Sequence, residues 1–381
     1  MKALYALPDH LVIKALVPAL ARRHLSVDEG IARVTGGANV VPLAIDPGPP
    51  GHVLWGDIGP APFREWQFMY TIERLAGEGA IRDGFSTDID ILLEDDVATE
   101  GLAPCGFIFH ISRCGSTLLA KALARDPAHL VINQGGPLQR GFWAWLTDDW
   151  THEAVADARH LRMFRNLVLA LTRRRDPAQK RAFVKLISWN VLYQDFIARA
   201  FPERPALFLY RDPVEVIASV RKETTAALEA RGTRQAGFLT GVDWRRTTAM
   251  DDTLYLAKCY ANYFRAALSA RDEGLRYINY RAINRDNFRA VLDRGLGLQL
   301  SENSLTHMLE QFRYHSKDDS DTLEFRADGQ AKRAHMALDE CHIVERECSG
   351  LIEQLESSPR YLFPVGHEKI PELVTGYGDV Q

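Results

Sequence analysis

Two short segments of this chain combine residue types and spacings suited to holding an anionic group. The first runs Phe107-Ile-Phe-His-Ile-Ser-Arg-Cys-Gly-Ser-Thr-Leu-Leu-Ala-Lys-Ala-Leu123. Its apolar start, 107–109, reads as a buried strand, and Thr117–Leu123 reads as a helix start. Between them the turn at 112–116 holds Ser112, Arg113, Cys114, Gly115 and Ser116. A strand that feeds a tight loop into a helix N-terminus gathers free backbone N–H groups at the positive end of the helix dipole. Gly115 lets the backbone approach a ligand, Ser116 and Thr117 add hydroxyl donors, and Arg113 adds a planar cationic fork. The chemistry is that of a phosphate- or sulfate-holding loop. The nucleoside-triphosphate version, G-x-x-x-x-G-K-[ST], needs a lysine between glycine and hydroxyl, and none stands there.

The second segment is the apolar stretch Ala206-Leu-Phe-Leu-Tyr210 followed by Arg211-Asp-Pro-Val-Glu-Val-Ile-Ala-Ser219. Pro213 suits the first helical turn. Ser219 then lies about two turns beyond Arg211, so one ligand along the helix can meet both.

The first loop together with R-D-P-x(5)-S resembles the sulfotransferases that use 3′-phosphoadenosine-5′-phosphosulfate (PAPS) and release adenosine 3′,5′-bisphosphate (PAP). The pattern is closest to bacterial members and to the tyrosylprotein and carbohydrate branch, where arginine stands at the position of Arg113. The resemblance implies that residues 113–117 hold the 5′-phosphosulfate and that Arg211 and Ser219 hold the 3′-phosphate. It continues downstream. Lys185, in Val184-Lys-Leu-Ile-Ser188-Trp189, matches a lysine near the transferring group. Tyr280 matches a tyrosine near the nucleotide. Lys317 and Lys332 match a C-terminal loop that closes over the cofactor. The matches span residues 105 to 335, and residues 1–100 match nothing usable.

Sulfuryl transfer needs cations at the leaving and transferring oxygens, which the resemblance assigns to Arg113 and Lys185. It also needs a base for the acceptor proton. Cytosolic members carry a histidine two residues after the matched lysine, where this chain has Ile187. Other members carry a glutamate where this chain has Gln134, whose amide cannot take a proton. His110, one residue before the loop, is the first substitute; Asp195 and His152 are weaker ones. Three readings stay open: another base serves, the acceptor needs no strong base, or the protein binds PAPS and PAP with little catalysis. A P-loop kinase is disfavoured by the absent lysine. Cys114 reads as a backbone donor or a reactive thiol.

These residues must be positioned by a scaffold, and composition bounds it. The chain has 381 residues and 42.9 kDa, with 46% hydrophobic and 25% charged residues, an ordinary soluble balance. A net charge of −4 argues against general nucleic-acid binding, and a local cluster of arginines still suits an anionic cofactor. Five scattered cysteines without C-x-x-C spacing indicate neither zinc site nor disulfide framework, which fits a cytoplasmic location. No run approaches a membrane span, and residues 10–24 read as an amphipathic helix bent or restarted at Pro18.

Residues 30–62 are rich in Gly and Pro and read as loops or short strands. Helical spacing covers 63–75, and acidic residues 95–103 mark a boundary between a 1–100 accessory region and a 101–381 domain. Beyond it, strands at 107–111, 129–132, 182–187, 206–210 and 275–279 alternate with helices at 116–125, 154–173, 190–200, 213–222, 251–270 and 283–293. Further helices are expected at 303–313 and 338–356. This alternation predicts an α/β fold, with a central, mainly parallel sheet covered by helices on both faces, in the manner of the P-loop-containing sulfotransferases. Both motif loops then follow C-terminal strand ends, where ligands bind such sheets. Residues 231–246 read as a mobile loop suited to acceptor contacts, and Arg173–Arg175 as a solvated face. Trp143, Trp145 and Trp150 read as pocket or core. The acceptor class, small molecule or peptide, is left open, as is oligomeric state.

Overall fold

The computed structural model describes residues 8–318, 320, 322–323, 333–334 and 336–363. Five strands form an all-parallel sheet: β5 (Pro104–His110), β6 (His129–Asn133), β7 (Arg181–Lys185), β8 (Ala206–Tyr210) and β9 (Leu275–Asn279), in the order β6-β7-β5-β8-β9. Their near-continuous apolar runs are buried, as a sheet covered on both faces requires. All five expected strands are present.

The helices that cover them include α4 (Ser116–Ala124), α5 (Phe142–Leu146), α6 (Ala158–Leu171), α7 (Gln194–Ala200) and α8 (Pro213–Lys222). Asp252–Leu268 and Leu338–Glu356 pack on one another beyond α8. Because β5 is central, the loops that follow β5, β7 and β8 open side by side at one edge.

The first hundred residues build a second sheet. α1 (Asp9–Leu16) stops before Pro18, as expected from the missing N–H. β1 (His24–Leu25), β2 (Val40–Asp46), β3 (His52–Asp57) and β4 (Asp83–Asp88) pair in the order β1-β4-β3-β2. β1 is parallel to β4 and the other pairs are antiparallel. α2 (Val27–Thr35) and α3 (Phe68–Gly77) flank this sheet.

Several expectations shift. α2 runs into the stretch 30–62, where loops or short strands are expected. A capping box starts it: Ser26 Oγ accepts the Glu29 N–H at 3.3 Å, and Glu29 accepts the Ser26 N–H at 2.9 Å. The stretch 231–246 is not a loop. It holds helices Arg234–Thr240 and Trp244–Thr247, the second capped by Asp243. The helix expected at 283–293 runs Phe288–Leu296 and ends on left-handed Gly297.

The Arg173–Arg175 run is a solvated face only at Arg174, which is exposed and paired with Glu100. Arg173 is buried and donates to Val34 O at 2.6 Å. Arg175 is buried too, donates to Ala61 O at 2.6 Å, and lies 4.1 Å from the Phe63 ring centroid. Both guanidinium groups therefore tie the N-terminal layer to the parallel sheet. The backbones also approach closely there. A Cβ at Gly136 would meet Leu43 O at 2.6 Å, and one at Gly141 would meet Ile45 O at 2.5 Å. One continuous apolar core spans both layers.

All five cysteines are free thiols. Among the described residues, no helix is long and apolar enough to cross a membrane.

Candidate anion-binding site

The turn after β5 is held in an unusual backbone conformation. Ser112 (φ 81°), Arg113 (φ 48°) and Gly115 (φ 78°) are all left-handed. For the two non-glycine residues this costs on the order of 1–3 kcal/mol each, a strain that persists only where surroundings enforce it. Gly115 is required twice over. Its φ disfavours a side chain, and a Cβ would meet the Tyr280 ring at 2.6 Å. Gly115 is also the N-cap of α4 and supplies no side chain to cap the first turn. The helix's opening N–H groups are thus uncapped by any side chain at this position, as an anion site needs.

His110 enforces the turn. Its Nε2–H donates to Leu186 O and its Nδ1 accepts the Ser112 N–H, both at 2.9 Å. Both bonds require the neutral ring. Burial, followed by the charge of Lys185, holds the pKa well below the usual histidine value. With both nitrogens committed to backbone, His110 anchors the turn, and a role as general base would require one of these bonds to break. Cys114 is also structural: its Sγ lies 3.3 Å from Leu209 O, and burial pushes the thiol up to about 11. The reactive-thiol reading falls. Ser116 is buried at the start of α4, and Thr117 follows it half-buried.

Four of the expected cations meet at this edge of the sheet. Arg113 donates to Glu223 Oε2 at 2.7 Å and to Glu223 O at 2.8 Å. Lys317 Nζ reaches the same Oε2 at 2.8 Å. Burial raises the Glu223 pKa, but the bonds from Lys317 and Arg113 outweigh that and bring it to about 2. Arg211 donates through Nε to Glu215 Oε2 at 2.5 Å, and its Nη1 lies 3.5 Å from Arg113 O. Its guanidinium also covers Tyr280, 4.7 Å from the ring centroid. Lys185, at the end of β7, is 1% exposed. Burial, helped by the charge of Lys317, lowers its pKa to about 7.

α8 organises the group. Glu215 and Ser219 share one face of α8 at four-residue spacing, and Glu223 caps the C-terminus of the helix four residues further on. Ser219 thus sits between the two carboxylates that hold Arg211 and Arg113. Lys317 is positioned from α4: Lys121 Nζ donates to Asp318 O at 2.8 Å, and Arg125 Nε to Gln311 Oε1 at 3.1 Å. Asp318 accepts the N–H groups of Ser320, Thr322 and Leu323 at 3.0, 2.6 and 2.7 Å. Lys332 lies outside the described residues.

Other candidates stand apart. Asp195 accepts the Arg271 N–H at 3.1 Å, beside the start of β9 and hence at the opposite edge. His152 is exposed and bonded to its neighbour's carbonyl. Trp143 is core, stacked on Tyr193 at 3.8 Å. Gln134 is left-handed (φ 52°), and its N–H donates to Lys185 O at 2.7 Å. Its buried Oε1 has no hydrogen-bond partner among the described residues.

Three residues of this site escaped the sequence reading. Glu215 and Glu223 were findable, being one turn either side of Ser219. Trp66, whose ring centroid lies 4.9 Å from Lys317 Nζ, carries no motif. His110→Ala should lower thermal stability and anion affinity together, by roughly 1–3 kcal/mol of folding stability for the groups left unpaired. A variant that kept both yet lost turnover would restore His110 as a base.

No family model and no curated protein matches this sequence. Among solved structures, the fold is similar to the sulfotransferase domain from the curacin biosynthetic pathway, with 15% identity and a TM-score of 0.35 over 68% of this chain and 99% of that one. It is similar to retinol dehydratase in complex with retinol and PAP, with 13% identity and 0.33 over 69% and 86%. A sulfotransferase from Alicyclobacillus acidocaldarius gives 16% identity and 0.29 over 64% and 94%. All three scores lie below 0.5, so function has to be argued from the side chains above.

Proposed function

We propose that this chain is a transferase that moves a sulfuryl group from PAPS to a hydroxyl or amine of a small-molecule or peptide acceptor, releasing PAP. One observation carries the reading. The two arginine-bearing turns abut, with Arg211 Nη1 3.5 Å from Arg113 O, and each guanidinium holds a carboxylate, Arg211 that of Glu215 in α8 and Arg113 that of Glu223 at the C-cap of α8. A single ligand with anions at both ends can exchange for those carboxylates.

In this reading the α4 N-terminus and residues 113–117 take the phosphosulfate, while Arg211 and Ser219 take the 3′-phosphate. Tyr280, already packed between Gly115 and Arg211, flanks the nucleotide. The acceptor's oxygen or nitrogen attacks sulfur, and the bond from sulfur to the bridging phosphate oxygen breaks. Arg113, Lys185 and Lys317 neutralise the charge that gathers on the leaving phosphate. Their charge-assisted hydrogen bonds contribute roughly 1.5–3 kcal/mol each.

A second reading, a PAP-binding protein with little turnover, is favoured by Gln134 and by the commitment of both His110 nitrogens to backbone. Transfer of labelled sulfate from PAPS into a metabolite extract separates the two. Isothermal titration tests the site they share. PAP should bind far more tightly than its 3′-hydroxyl analogue or ATP, and Arg211→Ala should abolish the preference for the 3′-phosphate. An unchanged preference would remove Arg211 from the site.

Glu223 competes with the incoming anion, so Glu223→Gln should tighten PAP binding about tenfold by removing a like charge from the site. Weaker binding in that variant would instead make Glu223 the group that holds Arg113 in position. Lys185 sets the pH dependence. Its pKa of about 7 in the free protein must rise beside a bound anion. PAP binding should therefore take up a proton and weaken as pH rises past 7. Titrations in buffers of different ionisation enthalpy read that uptake, and Lys185→Met should remove it.

A further inference from the structure

The N-terminal sheet brings together three side chains that the nucleotide reading does not use. In the parallel pair β1–β4, His24 stands opposite Ser86; in the antiparallel pair β3–β4, His52 stands opposite Asp88. Ser86 and Asp88 are two residues apart on one strand, so their side chains share a face, and both histidines join them there. His24 Nε2 and His52 Nε2 each lie 3.6 Å from Asp88 Oδ1. The three donor atoms all fall within 4.8 Å of one another, and the imidazole rings meet edge to face with centroids 5.2 Å apart.

We infer that His24, His52 and Asp88 form a site for a divalent transition-metal ion of the zinc class. Donors at bond lengths of about 2.1 Å around a tetrahedral ion stand about 3.4 Å apart, so the 3.6 Å separations need to close by only a few tenths of an ångström. Two imidazoles and one carboxylate suit zinc, nickel or copper better than the all-oxygen shell of calcium or magnesium. With half-exposed ligands, the fourth position is left to solvent.

A second feature prepares the site. Ser86 Oγ lies 3.5 Å from Arg23 O, to which it can only donate, and 3.1 Å from His24 Nδ1. When the hydroxyl donates to that carbonyl it accepts from the ring, which puts the His24 proton on Nδ1. Nε2 then presents its lone pair toward Asp88, the orientation that an outer-shell partner imposes on a ligating histidine. Asp88 precedes a short 3-10 turn without capping it, so its carboxylate is not engaged there. The ion would clip the two-residue strand β1 to the centre of its sheet.

Zinc titration of the full chain, dialysed against chelator, tests this at pH 7.5. One ion per chain should bind, and it should raise the unfolding temperature. His24→Ala and His52→Ala should each weaken binding about 100-fold or more, and Ser86→Ala about tenfold, through the tautomer alone. Should the alanine variants fold poorly, carbethoxylation of the wild-type protein serves in their place: zinc should protect His24 and His52, read by peptide mass. Absent binding, binding without that protection, or binding retained when both histidines are replaced would overturn the assignment.

Discussion

The geometry of the anion site depends on one neutral imidazole. His110 is the last residue of the central strand, and its two ring bonds fasten the following turn to the loop after β7 and back onto itself. That clamp acts with the Arg211 bond to Arg113 O and the Arg113 pair with Glu223 to hold Ser112 and Arg113 in the left-handed region. The ring can serve only unprotonated, and burial keeps it so. A residue that looks catalytic by type and position is thus spent on the backbone, and its contribution to chemistry lies in the shape of the loop.

Electrostatics complete the site by substitution. Arg113, Arg211, Lys317 and Lys185 converge on one edge of the sheet, and a low-dielectric cluster of cations is costly unless anions join it. Glu215 in α8 and Glu223 at its C-cap take that role for three of them, while Lys185 yields part of its charge through a lowered pKa. The same helix carries Ser219 between those carboxylates. A ligand that brings its own anions therefore competes with the protein's, and affinity is a difference between two occupied states.

Much of this was legible in the sequence. The five parallel strands are long apolar runs punctuated by turn residues, so periodicity and length found them. The two arginine motifs are local in sequence, so their chemistry survives without knowing the fold. What escaped depends on long-range packing. The buried arginines of Arg173–Arg175 look like a surface run because charge is usually solvated; only the carbonyls of Val34, Gly59 and Ala61 explain their burial. The helices of 231–246 are too short for a clear apolar stripe: the first buries Ala236 and Leu239 and the second starts on the Asp243 cap. His110 could not be assigned, because its partners are backbone atoms with no signature in side-chain type.

The Trp66 ring over Lys317 has a consequence for how such a site diversifies. Trp66 belongs to the layer without motif, while Lys317 belongs to the segment carried by α4. Replacing one aromatic ring would thus retune one cation of the candidate site and leave the parallel sheet and both arginine turns untouched. The charge of that site can be adjusted from outside the half of the molecule that carries the motifs, through a residue that no pattern search would flag.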